Sequence, residues 1–153
     1  MEIKDLNMKK ASRFDVNNVL FLECDIQEIF SKHIMKYNVV LHNAKRLTRV
    51  AEALDIPVIA TCQNKKKLKG IDPAIPKTEE RRVFDKTQFS MLTSGVWHEM
   101  NLLPGRTQVV LYGIEAHVCM RQTCLDLLKM SYDVHVVVDA CSSMNNHDRN
   151  TGI

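Results

Sequence analysis

One of the five cysteines in the chain, Cys119, stands where a thiol can act as a nucleophile. It follows an apolar run that ends at Gly113, and a helical pattern begins beside it. A thiol at a helix N-terminus faces unpaired backbone N–H groups and the positive end of the helix dipole, which stabilise its thiolate. The same groups can hold an oxyanion when a carbonyl is attacked. The position is compatible with nucleophilic catalysis, but a lone cysteine near a helix start is more often a small core residue.

Two other residues are of the types that a nucleophilic cysteine requires. A carboxylate such as Asp25 can take the thiol proton, and a nearby ammonium such as Lys86 lowers the thiol pKa. Each also has an ordinary structural explanation, because Asp25 could cap a turn and Lys86 could be solvated. The other cysteines have no comparable context and are predicted to be structural: Cys24, Cys62, Cys124 and Cys141.

The elements that must position these residues are predicted from the apolar pattern. Nearly unbroken apolar runs are typical of strands buried on both faces of a sheet, and a spacing of three and four residues is typical of helices. The predicted strands are residues 18–24, 57–61, 82–84, 108–113 and 134–138. The predicted helices are residues 35–54, 91–100 and 117–130. Strands that alternate with helices pair in parallel, and the helices between them form right-handed crossovers. The predicted fold is therefore α/β, a three-layer, doubly wound, Rossmann-like parallel sheet.

In such a sheet, ligands bind at the carboxyl ends of the strands, where the strand order reverses. Asp25 follows the first predicted strand, Lys86 the third and Cys119 the fourth. We therefore expect these three side chains to lie at one edge of the sheet.

Size and composition indicate one domain in a reducing compartment. The chain has 153 residues and 45% hydrophobic content, enough for a single core. We assign residues 18–153 to this domain and residues 1–17 to a polar leader. The odd number of cysteines without a C-x-x-C pair predicts reduced thiols and a cytoplasmic location, with a weakly basic mitochondrial leader as the alternative. No apolar run has membrane-spanning length, so a membrane partner is not expected.

A lysine-rich run at residues 65–69 accounts for much of the formal net charge of +3. A nucleic-acid-binding protein usually has a stronger and wider basic surface, and this run lacks interleaved aromatic residues for base stacking. We interpret the run as a solvated loop, with a phosphate-binding track as the alternative, and a nucleic-acid partner is not expected.

Four segments carry a specific resemblance to a known family. They are residues 21–27 (FLECDIQ), 86–90 (KTQFS), 113–119 (GIEAHVC) and 139–143 (DACSS). In this order, over about residues 18–150, they resemble the motifs of the isochorismatase-like cysteine hydrolases. The chain is most similar to the subgroup of isochorismatase domain-containing proteins.

The resemblance implies a role for each residue. Asp25 would be the general base, Lys86 would stabilise the thiolate, and Cys119 would attack the substrate. The backbone N–H groups of Glu115 and Cys119 would form the oxyanion hole, and a cis peptide bond would join Ile114 to Glu115. The implied activity is hydrolysis of a small amide, ester or vinyl-ether-type substrate, without a cofactor. The implied assembly is a homo-oligomer.

The chain departs from the family pattern in two places. Nicotinamidases of the family hold a metal after the second strand, but residues 61–77 contain no histidine and only one acidic residue, Asp72. We therefore predict no metal site and disfavour nicotinamide as substrate. Family members also continue beyond residues 147–149 through a helix, a strand and a final helix. Without them the strand at 134–138 is expected to be an unpaired edge, and the domain to be incomplete.

Two other functions remain as alternatives to a hydrolase. The chain could be a catalytically silent binding or oligomerisation module, with the three residues present but poorly held. It could also be a nuclease or RNA-binding protein, for which the lysine run is the only support. Fast alkylation of Cys119 relative to Cys24 and Cys124 would favour an assembled active site over a silent module.

Overall fold

The computed structural model describes residues 14–153, and the predicted leader lies outside this range except for residues 14–17. The strands are β1 (Val19–Cys24), β2 (Val58–Gln63), β3 (Arg81–Lys86), β4 (Gln108–Ile114) and β5 (Asp133–Ser142). The α-helices are α1 (Tyr37–Ala53), α2 (Lys65–Leu68), α3 (Ser94–Asn101), α4 (Arg121–Lys129) and α5 (Asn146–Gly152). A 3-10 turn covers Glu28–Phe30, and a π-helical turn covers Ala116–Met120.

The five strands form one parallel sheet in the order β3-β2-β1-β4-β5, which confirms the predicted doubly wound α/β fold. β1 is the central strand and β4 lies beside it, and every residue of both is buried, as their nearly unbroken apolar runs predict. β2 and β3 are added in turn on one side of β1, and the next strand along the chain, β4, lies on the other side of β1. The strand order therefore reverses between β1 and β4, where ligands of such folds bind.

Several predicted boundaries differ from those observed. β3 runs to Lys86, so this lysine is the last residue of the strand rather than a loop residue after it. β5 extends to Ser142, past an irregularity in its pairing with β4. α3 begins at Ser94 because the Thr93 hydroxyl caps the helix by accepting from the backbone N–H of Val96.

The lysine-rich run was predicted to be a loop, but it contains the short helix α2. The side chains of Lys65, Lys66 and Lys67 are exposed, and Leu68 points partly inward. No helix within residues 14–153 is long and apolar enough to cross a membrane.

β5 lies at an edge of the sheet formed by residues 14–153, as expected. Arg149 of α5 donates to the carbonyls of Val138 and Cys141 and so covers the carboxyl end of this edge. Val136, earlier in the strand, pairs with Leu111 of β4 and is 37% exposed. An apolar strand edge of this kind is a template for pairing with another chain.

We predict that Val136→Lys reduces self-association, because a charged side chain on an edge strand opposes edge-to-edge pairing. Val83→Lys is the matched control, since Val83 is a 48% exposed valine on β3 at the opposite edge. Light scattering after size-exclusion chromatography, at equal concentrations, would measure the effect. An equal oligomeric fraction in the wild type and both variants would contradict a role for the β5 edge.

Candidate active site

The structure brings the three predicted side chains together at the carboxyl ends of the strands. The Nζ atom of Lys86 lies 2.6 Å from Oδ2 of Asp25 and 3.8 Å from Sγ of Cys119. The Asp25 and Lys86 side chains are almost completely buried. An ion pair in such a place needs further hydrogen bonds to offset the loss of hydration.

Those hydrogen bonds come largely from β2 and from the loop after β3. The Thr61 hydroxyl donates to Oδ1 of Asp25 at 2.8 Å. The ammonium of Lys86 donates to Oε1 of Gln63 at 2.6 Å and to the backbone carbonyl of Gln88 at 3.1 Å. Thr61 and Gln63 were not singled out from the sequence, because their alignment with Asp25 and Lys86 depends on the strand register.

Gln27, the last residue of the first motif, holds the wall of the site. Its side-chain amide donates to the backbone carbonyls of Gln63, Leu68 and Lys69 and accepts from the backbone N–H of Gln63. Gln27 therefore fixes the end of β2 and the helical turn α2 next to the ion pair.

The nucleophile turn, residues 114–120, differs from expectation in its backbone. The predicted cis bond between Ile114 and Glu115 is wrong, since this bond is trans. The chain reverses instead through the left-handed conformation of Glu115, at φ 57° and ψ 61°, followed by the π-helical turn that carries Cys119. The N–H groups of Val118 and Met120 donate to the Glu115 carbonyl at 3.0 and 3.2 Å and close this turn. The assignment of the Glu115 and Cys119 N–H groups to an oxyanion hole stays a prediction.

Gly113, the residue before Ile114, allows the turn to lie close to β1. Its φ is +143°, and a Cβ atom there would lie 2.1 Å from the carbonyl oxygen of Cys24. Only glycine fits both constraints. The approach brings the turn next to Cys24 and Asp25.

Cys24, predicted to be structural, belongs to the site. Its Sγ lies 3.7 Å from Oδ2 of Asp25. Strand alternation would place neighbouring side chains on opposite faces, but Asp25 has a left-handed φ of 54°, which breaks the alternation. A hydrogen bond with the Cys24 thiol lowers the pKa of Cys119, and the positive charge of Lys86 lowers it further, against the opposing effects of burial and of Asp25. The same interaction raises the pKa of Cys24 well above its usual range.

A cavity of about 330 Å³ opens onto the thiol. Most of its walls are apolar side chains, contributed by Phe30, Leu68, Phe89, Ile114 and Val118. Its polar lining comes from Asp25, Gln63, Glu115 and Cys119. Its size and mostly apolar walls are typical of pockets for small molecules.

The outer side of the nucleophile turn is held by α5. Gly152 packs so closely that a Cβ atom would lie 2.3 Å from the carbonyl carbon of Ala116. Nδ1 of His117 lies 3.4 Å from Oε2 of Glu115 and 3.2 Å from Oγ of Ser143, and Nε2 lies 3.9 Å from Oδ2 of Asp148. Ser143 is the last residue of the fourth motif, so this motif also contributes to the turn.

Within residues 14–153, no group of three or more His, Cys, Asp or Glu side chains is arranged to hold a metal ion. Asp72, the acidic residue of the segment after β2, is buried. It accepts hydrogen bonds from the Tyr37 hydroxyl and from the backbone N–H of Ala74. Its role in this structure is to fasten that segment to α1.

Comparison with known proteins identifies the family. The isochorismatase domain matches residues 19–153. The chain belongs to the isochorismatase family. Isochorismatase domain-containing protein 2 of Xenopus laevis is 43% identical over 135 residues, covering 87% of this chain and 64% of the relative. The secreted isochorismatase effector Isc1 of Phytophthora sojae is 40% identical over 150 residues, covering 95% and 71%.

Solved structures agree with this assignment. The MAR1 ribonuclease of Caenorhabditis elegans superposes with a TM-score of 0.86 at 37% identity, covering 92% of this chain and 73% of that one. The chain spans about two thirds of the length of these relatives. Membership of the family supports a hydrolase.

We predict that Cys24→Ala raises the pKa of Cys119, because the thiol hydrogen bond that stabilises the thiolate is lost. A lowered pKa keeps more thiolate at neutral pH, so the variant should react more slowly with iodoacetamide at pH 7. The pH dependence of alkylation, followed at Cys119 by mass spectrometry, would measure the shift. Cys62→Ala is the control, since Cys62 is also buried but lies outside the site. An unchanged midpoint in Cys24→Ala would rule out this role.

We predict that Lys86→Met costs about 3–5 kcal/mol of unfolding free energy, because it leaves the Asp25 carboxylate buried without its partner. The facing Cys24, Asp25 and Cys119 raise the pKa of Lys86 even though burial opposes this. The contribution of Lys86 is therefore fully present at neutral pH and is lost as the pH rises through the raised pKa. Urea unfolding would measure the cost.

The double variant Asp25→Asn with Lys86→Met is the matched comparison. It removes both charges and should recover part of the lost stability. A double variant as unstable as the sum of the two single variants would show that the ion pair does not couple these residues.

Proposed function

We propose that the chain is a cysteine hydrolase that cleaves a small amide, ester or vinyl-ether-type substrate through Asp25, Lys86 and Cys119. The observation that carries the proposal is the position of the Lys86 ammonium, within 2.6 Å of Asp25 and 3.8 Å of Cys119 at the base of the cavity. A nucleophile, a base and a fixed positive charge share one buried site, which is the arrangement that thiolate catalysis requires.

With an amide or ester, the first half of the reaction forms a thioester. Asp25, whose partner Lys86 also reaches the thiol, accepts the thiol proton. The thiolate of Cys119 attacks the carbonyl carbon, and the N–H groups of Glu115 and Cys119 stabilise the oxyanion. The oxyanion collapses, the bond to the amine or alcohol breaks, and protonated Asp25 returns its proton to the leaving group.

The second half releases the acid and restores the thiolate. Asp25 takes a proton from a water molecule, which attacks the thioester carbon, and the carbon–sulfur bond breaks. Lys86 stays charged throughout and stabilises both the carboxylate and the departing thiolate. The mechanism needs no metal or cofactor and requires a reduced thiol. We therefore propose a reducing, cytoplasmic setting. Self-association through the β5 edge is proposed on a separate observation, the exposed Val136 on that edge strand.

We predict that Cys119→Ala abolishes hydrolysis of any amide or ester that the wild type cleaves in a substrate panel. Asp25→Asn should lower kcat by about 10²–10⁴-fold, the usual contribution of a general base. The matched control is Cys124→Ala, a half-buried cysteine of α4 outside the site. Hydrolysis by Cys119→Ala at the wild-type rate would exclude covalent catalysis. No hydrolysis together with slow labelling of Cys119 would favour a silent binding module.

A ribonuclease is the second candidate. It is supported by the similarity to the MAR1 ribonuclease and by α2, whose Leu68 borders the cavity while its three lysines are exposed. Cleavage of a labelled RNA would test it, using Cys119→Ala and a variant with Lys65, Lys66 and Lys67 changed to alanine. RNA cleavage that both variants reduce would favour this function over amide or ester hydrolysis.

A further inference from the structure

Two thiols meet at the candidate active site. Cys24 ends β1, Cys119 lies in the nucleophile turn after β4, and a hydrogen bond joins their side chains. Sγ of Cys24 lies 3.7 Å from Oδ2 of Asp25. The same oxygen lies 2.6 Å from Nζ of Lys86, which lies 3.8 Å from Sγ of Cys119. The proposed hydrolysis uses only the thiol of Cys119, so the thiol of Cys24 has no step of its own in that reaction.

Close packing of the backbone keeps the two cysteines together. Gly113 of β4 pairs with Cys24 in the sheet, and a Cβ atom at Gly113 would lie 2.7 Å from Cβ of Cys24. The turn that begins here and carries Cys119 is closed by hydrogen bonds to the Glu115 carbonyl. A disulfide forms without backbone movement only between cysteines whose side chains already meet, and this pair satisfies that condition.

Of the two thiols, Cys119 is the one that an oxidant reaches first. It lines the cavity of about 330 Å³ and is 7% exposed, whereas Cys24 is fully buried. The thiolate is the form of a cysteine that attacks a peroxide. The hydrogen bond from Cys24 and the charge of Lys86 lower the pKa of Cys119, while burial raises the pKa of the other cysteines.

The buried Cys24 is suited to the second step rather than the first. Its pKa is raised chiefly by its hydrogen bond with Cys119, then by burial and by Asp25. Oxidation of Cys119 to a neutral sulfenic acid removes the first of these causes, and the charge of Lys86 continues to lower the pKa of Cys24. The Asp25 carboxylate, at 3.7 Å, is placed to accept the proton of this thiol.

We propose that Cys24 and Cys119 form a redox-modification site, in which a peroxide oxidises Cys119 and Cys24 then closes a reversible disulfide with it. First, the thiolate of Cys119 attacks one peroxide oxygen, the O–O bond breaks, hydroxide leaves and Cys119 becomes a sulfenic acid. The sulfur of Cys24 then attacks the sulfur of Cys119, and the S–O bond breaks. Asp25 passes the thiol proton of Cys24 to the departing hydroxide, which leaves as water. Two electrons move from the two sulfurs to the peroxide.

The disulfide would protect the nucleophile while it holds the site inactive. A sulfenic acid without a partner thiol is oxidised further to sulfinic and sulfonic acids, which thiols do not reduce, whereas a dithiol reduces a disulfide to two thiols. The inference goes beyond the proposed hydrolase, because it requires two adjacent thiols and a peroxide but no substrate.

Peptide mapping of the full chain tests the inference without any hydrolysis. The reduced chain is treated with a small excess of hydrogen peroxide, its remaining thiols are blocked with N-ethylmaleimide, and it is digested with trypsin. Cleavage after lysine and arginine places the five cysteines in separate peptides, residues 14–32 (Cys24), 50–65 (Cys62), 107–121 (Cys119), 122–129 (Cys124) and 130–149 (Cys141).

We expect a cross-link between the peptides 14–32 and 107–121, with the loss of two hydrogens from their summed mass. Cys24 and Cys119 should lose their maleimide label together, and dithiothreitol should restore both thiols. The wild-type cross-link alone decides the main point, so the test does not depend on how well any variant folds.

Variants then identify the partner thiol. In Cys24→Ala, the share of oxidised Cys119 that reaches sulfinic acid should rise severalfold, and dimedone should trap a sulfenic acid that the wild type does not accumulate. This share does not depend on the rate of the first step, which the raised pKa of Cys119 slows in this variant. Cys141→Ala is the matched control and should keep the wild-type cross-link. Cys141 is also buried and also pairs with Gly113, but from β5, and burial raises its pKa to about 12.

Sulfenic or sulfinic acid at Cys119 of the wild type without a cross-link would overturn the inference. So would a cross-link to Cys62, Cys124 or Cys141 instead of Cys24, or a Cys119 that peroxide leaves unchanged. Hydrolysis of an amide or ester by a chain that forms no cross-link would leave the hydrolase intact and overturn the modification site. A cross-link in a chain that hydrolyses no amide or ester would support the modification site and count against the hydrolase.

Discussion

The site depends on one ion pair that is removed from water. Desolvating the Asp25 carboxylate and the Lys86 ammonium costs several kcal/mol for each ion, and their contact at 2.6 Å offsets this only if further hydrogen bonds are present. These come from β2 and from the loop after β3. The strand register makes them available, since Cys24 pairs with Thr61 and Gln63 pairs with Lys86. A slip of one residue between these strands would remove the partners and leave both charges buried without compensation.

The other half of the site arrives from β4, on the opposite side of β1. Here the constraint is space rather than charge, because Gly113 must lie against Cys24 for the nucleophile turn to reach the ion pair. α5 then fixes the turn from outside, through the close contact of Gly152 with Ala116. The thiolate is therefore stabilised by Cys24 of β1 and Lys86 of β3, while β2 supplies hydrogen bonds to the ion pair. The position of the thiol depends on β4 and on α5.

The hydrophobic periodicity of the sequence predicted the strands and helices. It did not predict the features that depend on the backbone conformation of single residues. Nearly continuous apolar runs were sufficient for the parallel sheet and for placing Asp25 and Cys119 beyond strand ends. The weak third strand was predicted too short, so Lys86 was placed after it rather than in it. The trans bond before Glu115 and the role of Cys24 both depend on single left-handed residues, Glu115 and Asp25. No hydrophobic pattern encodes such a residue when it is not glycine. Thr61 could not be predicted as a partner of Asp25 because the register between β1 and β2 is not visible in the sequence.

In the proposed hydrolase, catalysis and specificity occupy different parts of the fold, which would allow one catalytic set to serve different substrates. The ion pair and the thiol are held by strand ends, whose geometry the sheet determines. The cavity walls come mostly from the connections, at Phe30, Leu68 and Phe89. Connections tolerate change because little of the core depends on them. Glu115 is the exception, since this residue belongs both to the nucleophile turn and to the cavity lining. A substitution here changes the left-handed turn and the cavity lining together, so this part of the wall is less free to vary than the connections.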